Sequence, residues 1–317
     1  MAQRPAVTVL GSLNTDVSLL VPHLPGPGET VLASAAATFG AGGKGANQAV
    51  AAARLGAAVS MVGCCGDDEF GARLRAGLAA EGIGVTGLRT VPGVASGLAL
   101  ITVDLAGENS IAVAAGANGL AGDAEVAAAF AQPCDVLVLS AEIPVPALGA
   151  ALRRARADGV RTVLNLAPVP DRTAGLLAEC PGWLVVNAQE AAALAGRAGG
   201  APEQGGAALG RDAAAGLAAG LGGGHVVVTL GADGAALAGP SGAATVPGFP
   251  VTAVDTVGAG DAFVGALAVA LASGLDPAAA VTAACAAGAA AATRRGAQAA
   301  LPRPADVLAA TGFAWPA

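Results

Sequence analysis

The chain has little with which to build several common kinds of site. It holds only two histidines in 317 residues, His23 and His225, too few for a histidine-based zinc centre or a Ser-His-Asp triad. Its five cysteines (Cys64, Cys65, Cys134, Cys180 and Cys285) form no Cys-x-x-Cys pair. All but Cys180 stand in apolar stretches, so they read as reduced core thiols. Positive charge is scarce: 16 Lys and Arg against 23 Asp and Glu give a net charge of -7. That excludes the clustered basic surface which nucleic acid or an anionic membrane requires. Long apolar runs are missing too. The first one breaks at Asn14 and Asp16, too soon for a signal segment, and the alanine-rich run from Ala278 to Thr293 is too weakly hydrophobic to span a bilayer and reads as a buried helix. The expectation is a cytoplasmic protein whose partner is a small molecule or a second copy of itself. With 54% hydrophobic and 12% charged residues it can bury a large core. Its length exceeds the usual single core of roughly 250 to 300 residues, which fits one large domain with an appendage, or two comparable domains.

Short β-branched runs recur, each followed by a stretch with helical period: VTVLGS, VSMVGCCGDD, DVLVLSAE, RTVLNLAP, WLVVNAQE and HVVVTLGADG. The alternation predicts an α/β fold, a doubly wound, mainly parallel sheet with helices on both faces. Asn14, Asp67, Glu142, Asn165, Asn187 with Glu190, and Thr229 fall at the carboxyl ends of these runs. Ligands bind at that edge of open α/β sheets, so these side chains are expected to converge on one crevice. Two segments, about 15–40 and 96–113, break the rhythm. They are expected to form a small antiparallel sheet standing off the main body as a lid over the strand ends, its open face packed on a second subunit. The Gly-rich stretch AGGAPEQGG at 198–206 reads as a solvent loop.

FGAGGKGANQ contains Gly40-x-Gly42-x-x-Gly45, but no buried strand precedes it, and Gly45 stands where a Walker loop needs Ser or Thr. Its glycines suit close approach of the backbone to a polyhydroxylated ligand, with Asn47 bonding to hydroxyls, or a tight turn before an amphipathic helix. In GSLNTD, Asn14 and Asp16 lie on one side of an extended chain and suit vicinal hydroxyls; Asn-x-Asp is also ordinary turn chemistry. In NAQE, Asn187 and Glu190 form either a capping box or a water-mediated hold on Mg2+. In VDTVGAGDAFVGAL, the amides of Gly258, Ala259 and Gly260 at a helix N-terminus can converge on a phosphate. Asp261, kept ionised by the same helix dipole, can take a proton from an attacking hydroxyl. The plainer alternative is that Asp255 and Asp261 only cap the helix.

Together GSLNTD, PGET, GGKGANQAVAAARLGA, GDDEFG, GENSIAVAAGAN, NLAP, NAQE, TLGADG, DTVGAGDAFVGAL and TRRGAQ closely resemble, nearly end to end, the ribokinase branch of the carbohydrate and purine kinase family. The resemblance implies a single ribokinase-like α/β domain over 1–317, with the two lid segments forming the family's β-sheet lid and homodimer contact. It implies ATP-dependent phosphorylation of D-ribose at O5; the alternative is a sibling kinase for deoxyribose, another pentose or hexose, or a nucleoside. Asp261 would be the general base, with Gly258, Ala259 and Gly260 as the anion hole. The sugar would be held by Asn14, Asp16, Gly42, Gly43, Asn47, Glu142 and Asp261. ATP would lie along Asn187, Thr229, Gly231, Gly234 and Gly260, its adenine near the helix from Ala284 to Ala291. Glu190 would organise Mg2+ through water. An activating K+ would be bound with help from Asp255 and from the backbone carbonyls of Asp255, Val257, Ala291, Arg294 and Gly296. Two departures from the family pattern stand out: Ala300 replaces a hydroxyl-bearing residue of the K+ site, and FGAGGKG carries one extra residue before the paired glycines. Outside this class, a nicotinamide oxidoreductase using the Gly40 loop and a sugar-binding regulator without catalysis are the rival readings.

Overall fold

The computed structural model describes residues 4–171, 173–179, 182–196, 207–221 and 223–316; Cys180 and the loop at 198–206 lie outside them. In chain order the strands are β1 (Ala6–Leu10), β2 (Asn14–Val21), β3 (Thr38–Gly42), β4 (Ala58–Gly66), β5 (Gly84–Val91), β6 (Gly97–Asp104), β7 (Asn109–Ala114), β8 (Val136–Ser140), β9 (Arg161–Asn165), β10 (Trp183–Asn187), β11 (His225–Thr229), β12 (Ala235–Gly239) and β13 (Gly242–Val246). The α-helices are α1 (Lys44–Arg54), α2 (Glu69–Ala80), α3 (Asp123–Ala129), α4 (Val145–Asp158), α5 (Ala174–Ala178), α6 (Ala188–Gly196), α7 (Ala207–Gly220), α8 (Ala259–Ala272), α9 (Pro277–Ala292) and α10 (Pro304–Thr311).

The main sheet runs β13-β12-β11-β10-β9-β8-β1-β4-β5. From β11 to β5 every pairing is parallel, and β12 and β13 close one edge as an antiparallel hairpin. Its central strands are buried on both faces, and continuous runs such as VLVLS in β8 follow from that. Separate apolar clusters fill the two faces. The hairpin was not legible as strands because AALAG and GAATV lack β-branched density.

On one face α8 and α9 pack together and α1 crosses α8. Small residues set how close they come. A Cβ on Gly265 of α8 would meet Ala51 Cβ at 2.6 Å and Gln48 O at 2.8 Å in α1. This close approach brings the first turn of α8 against the polar side chains of α1. The expected amphipathic helix is more deeply sunk than amphipathic: Gly45 to Ala52 of α1 are all buried.

The two segments that break the rhythm form a second sheet in the order β3-β2-β6-β7. Its β3–β2 and β6–β7 pairs are antiparallel and β2–β6 is parallel, so the sheet is mixed rather than wholly antiparallel. Leu20, Ile111 and Val113 on one face and Phe39 and Leu100 on the other are exposed apolar side chains of this sheet. Among the described residues no helix is long and apolar enough to cross a membrane.

Among the described residues the cysteines are free thiols, yet two stand in less apolar company than their neighbours in sequence imply. Arg89 Nη2 donates to Cys64 Sγ at 3.3 Å and Arg75 Nη2 to Cys65 Sγ at 3.7 Å. Those arginines come from β5 and α2, too far along the chain for local patterning to show.

Candidate active site

The Gly258-Ala259-Gly260 turn enters α8 through Gly258, which adopts a left-handed conformation (φ +80°) that a side-chain-bearing residue seldom takes. The amides of Gly258 and Gly260 take no carbonyl partner among the described residues and stand at the positive end of the helix dipole. The amide of Ala259 differs from expectation, since it is bonded to Thr256 O at 3.2 Å. The turn tightens on itself there and offers fewer free donors than its composition suggests.

Asp261 lies in the first turn of α8 and is buried. Asn47 Nδ2 donates to its Oδ2 at 2.8 Å and Gln48 Nε2 to its Oδ1 at 3.0 Å. Burial pushes its pKa above the ordinary carboxylate value, reinforced by Glu142 and opposed by Lys44 and the two amides. The helix dipole was expected to hold it ionised; desolvation outweighs that effect. A base raised in this way accepts a proton more readily near neutrality.

A cavity of about 580 Å³ is lined by Asn14, Lys44, Asn118, Glu142 and Glu190, with Val113 and Ala115 from the second sheet's side; Asp261 does not line it, and two of its charged residues, Lys44 and Glu142, act on that carboxylate. Asn118 fixes Asn14: its Oδ1 accepts from Leu13 N at 2.9 Å, and its Nδ2 donates to Leu13 O at 3.0 Å and to Asn14 Oδ1 at 2.8 Å. Glu142 Oε2 accepts from Ser12 Oγ and from Lys44 N. Asp16 feels both Glu142 and Asp261, and its carboxylate folds over Gly42, where a Cβ would come within 2.1 Å of Asp16 Oδ2. Gly43 (φ +86°) lets the chain pass β2, for a Cβ there would stand 2.7 Å from Asn14 N. Asn47 Oδ1 is buried without a protein partner, an acceptor that a ligand hydroxyl would satisfy.

Asp16, its pKa pushed up to about 6 by burial and then by Glu142 and Asp261, gives a pH prediction. Between its ordinary value and about 6 the native state holds a proton that the unfolded chain has released. Asp16 therefore destabilises the fold at neutral pH, and the penalty shrinks as pH falls. Asp16→Asn is expected to melt above the parent at pH 7.5, with the gap narrowing by pH 5. Differential scanning calorimetry at both pH values checks it, and a gap that is absent or widens on acidification contradicts it.

On the other side of Gly260 runs a cleft of about 1120 Å³. Asn187, Thr229, Gly231 and Gly234 line it, as do Gly260 and the α9 residues Cys285, Gly288 and Ala289. The wall is apolar and shallow in side chains, which leaves room for a flat heterocycle. At its inner end Asn187 and Glu190 form the reciprocal capping box: Glu190 N donates to Asn187 Oδ1 and Asn187 N to Glu190 Oε2, both at 2.8 Å. Asn187 faces the cleft and Glu190 the smaller cavity. Glu190 is pushed up by burial and drawn down by its bond from Asn187 and by Lys44. One partly buried carboxylate with hard oxygens fits a magnesium that keeps most of its waters.

Asp255 stands apart from both cavities. Its Oδ1 accepts from Val257 N at 3.0 Å and its Oδ2 from Gly296 N at 2.8 Å. Val254 and Asp255 amides both reach Ala292 O, and Arg294 N reaches Ala291 O. The carboxylate thus ties the turn before Gly258 to the loop after α9, at the negative end of the α9 dipole, a donor set suited to a cation held by carbonyls. Ala300 is buried and brings no oxygen from its side chain.

Asp67 does not reach the crevice. Its Oδ1 accepts from Gly93 N, while Asp68 caps α2 through Gly71 N and also holds Ser96. Four residues of the site carried no assigned role in the motifs: Ser12, Lys44, Gln48 and Asn118. Lys44, the only lysine in the chain, precedes the Gly45 that breaks the Walker pattern, yet its charge acts on both Asp261 and Glu190. Gln48 and Asn118 are buried amides in apolar surroundings, and a buried amide must be bonded to something; that signal was available in the motifs.

Comparison with known proteins identifies the family. The pfkB family carbohydrate kinase model matches residues 4–304. Haemophilus influenzae ribokinase is 37% identical over 96% of this chain and 98% of its own length, and Salmonella typhi deoxyribokinase is 34% identical over 83% of this chain and 84% of its own. Among solved structures, Arabidopsis thaliana ribokinase complexed with ribose and ATP superposes with a TM-score of 0.83 at 28% identity, covering 97% of this chain and 98% of the other. The chain belongs to the pfkB family of carbohydrate kinases.

Proposed function

We propose that the protein transfers the γ-phosphoryl group of ATP to O5 of D-ribose. The observation that carries this is Asp261, buried and amide-bonded through both oxygens, one residue after the Gly260 that lines the large cleft, and coupled by charge to Lys44 and Glu142 of the smaller cavity. Ribose would occupy the cavity, held by Asn14, Asp16, Asn47 and Glu142 with the backbone at Gly42 and Gly43. ATP would lie in the cleft along Asn187, Thr229, Gly231 and Gly234, its adenine against α9. Asp261 takes the proton of the attacking hydroxyl. Negative charge on the phosphoryl group in transfer is met by the Gly258 and Gly260 amides and by Lys44, and loss of one such preorganised donor typically costs around 3 to 4 kcal/mol in the barrier. Mg2+ would be held from Glu190 through water and would neutralise phosphate charge. K+ would sit among the carbonyls of Asp255, Val257, Ala291, Arg294 and Gly296 and steady the Gly258 turn.

The chain would act as one domain over 1–317 with the second sheet as its lid, in the cytoplasm, where ATP and reduced thiols coexist. Exposed apolar side chains of the lid would pack on a second copy, giving a homodimer. A dehydrogenase reading loses its support because the Gly40 loop belongs to the exposed strand β3 and not to a nucleotide-binding turn of the main sheet. The sibling reading, a deoxyribokinase, is separated by the need for an acceptor at the 2-hydroxyl, which Asp16 supplies.

An ADP-release assay over ribose, 2-deoxyribose, other pentoses, hexoses and nucleosides tests the reading. Ribose is expected to give the highest kcat/KM, and turnover is expected to be faster in K+ than in Na+. Asp255→Ala, which unties Val257 from Gly296, is expected to slow turnover and erase that cation difference. No ADP release with any pentose, or equal kcat/KM for ribose and 2-deoxyribose, contradicts the assignment.

A further inference from the structure

Gln48 is fully buried, and its amide nitrogen donates to Asp261 Oδ1 and to Asn165 Oδ1, each at 3.0 Å. Asn165 in turn donates from Nδ2 to Val185 O at 3.2 Å. The sense of this chain is set at its far end. A backbone carbonyl only accepts, so the Nδ2 of Asn165 must face Val185 and its Oδ1 must face Gln48. Gln48 is then compelled to present its nitrogen, because the reversed amide would set Oε1 against two acceptor oxygens. The second donor to Asp261 has no such constraint: Oε1 of Gln48 and Oδ1 of Asn47 are both without a protein partner, but Asn47 Nδ2 donates to Asp261 alone among the described residues, so that amide is free to turn toward a ligand.

We infer that Gln48, oriented by Asn165, is the positioning residue that keeps Asp261 an unprotonated acceptor in its buried site. This rests on the reading of Asp261 as the general base. A hydrogen bond to the ionised carboxylate favours that form, against the burial that disfavours it. The other charged groups facing Asp261 are Lys44 from α1, Glu142 after β8 and Asp16 from β2, and none of them is altered by replacing Gln48. The same bond leaves one Oδ1 lone pair occupied, so the carboxylate holds a single rotamer with its Oδ2 edge shared between Asn47 and the incoming hydroxyl.

The test is the pH dependence of kcat for ribose phosphorylation by the full chain. Gln48→Met keeps the length of the side chain and removes the donor. The acid limb of kcat is expected to move up by about one to two pH units, so that activity lost at pH 6.5 is largely recovered at pH 8.5, with the KM for ribose changed by less than about threefold. Gln48→Glu, which sets a second carboxylate beside Asp261, is expected to move the limb further in the same direction. Asn165→Leu touches neither the sugar nor Asp261 but frees the Gln48 amide, and it is expected to give a smaller shift of the same sign; it also serves if a Gln48 variant fails to fold. An acid limb that stays in place while kcat falls equally at every pH would make Gln48 merely structural and overturn the inference. If the parent enzyme itself does not phosphorylate ribose, the proposed function fails instead, so the two failures are told apart.

Discussion

Asp261→Asn is expected to lower kcat by about three orders of magnitude while leaving the affinity for ribose within about tenfold. General-base catalysis contributes on the order of 10² to 10⁴ in rate, and here the carboxylate is held through both oxygens by the side-chain amides of Asn47 and Gln48. The substituted amide keeps the volume and can still bond the sugar hydroxyl, because Asn47 can reverse its own amide to match. It cannot take a proton. Folding moves in the opposite direction: Asp261 is raised by burial, so its ionised form weakens the native state at neutral pH, and removing the charge is expected to raise Tm. A variant that is inactive and more stable than its parent separates a lost base from a damaged fold. Single-turnover kinetics with isothermal titration of ribose measures both parts, and a kcat near that of the parent would remove Asp261 from the chemistry.

The second large effect belongs to the sugar. Asp16→Ala is expected to raise the KM for ribose by about 10² to 10³ with a much smaller change in kcat. Two hydrogen bonds from vicinal hydroxyls to a charged carboxylate contribute about 1.5 to 3 kcal/mol each, and both are made before and during transfer, so their loss shows mainly in binding. In the parent enzyme 2-deoxyribose forgoes one of them and should bind about tenfold or more weakly than ribose. In Asp16→Ala the two sugars should converge. Steady-state kinetics with both sugars on both proteins checks this, and an unchanged preference in the variant would move sugar discrimination to another residue.

Much of this site could be read before any fold was known, and the reason is physical. The main sheet announced itself because parallel strands buried on both faces are continuous β-branched runs, as in WLVVN of β10 and HVVVT of β11. The structure sets Asn14 and Glu142 on one cavity and Asn187 and Thr229 on the other, where one crevice was expected. The Asn187–Glu190 pair showed its capping spacing in four letters. What stayed hidden depended on distance in the chain. The bond between Gln48 and Asp261 joins α1 to α8 across 213 residues, and Asn118 reaches Asn14 across 104; no local pattern encodes either. Asp67 was misread because a carboxylate at a strand end serves a turn as readily as a ligand, and the partner that decides, Gly93, lies on a loop with no signal of its own. The balance on Asp261 was misjudged for a related reason: the helix dipole is visible in GAGD, whereas the depth of burial depends on how closely Gly265 lets α8 approach α1.

The most direct measurement is the ³¹P NMR spectrum of the product formed from ATP, Mg2+ and D-ribose. Transfer to O5 predicts one new phosphomonoester signal split into a triplet by the two protons on C5, growing in step with ADP. A doublet from phosphorylation at C1, or inorganic phosphate alone, would contradict the placement of O5 beside Asp261.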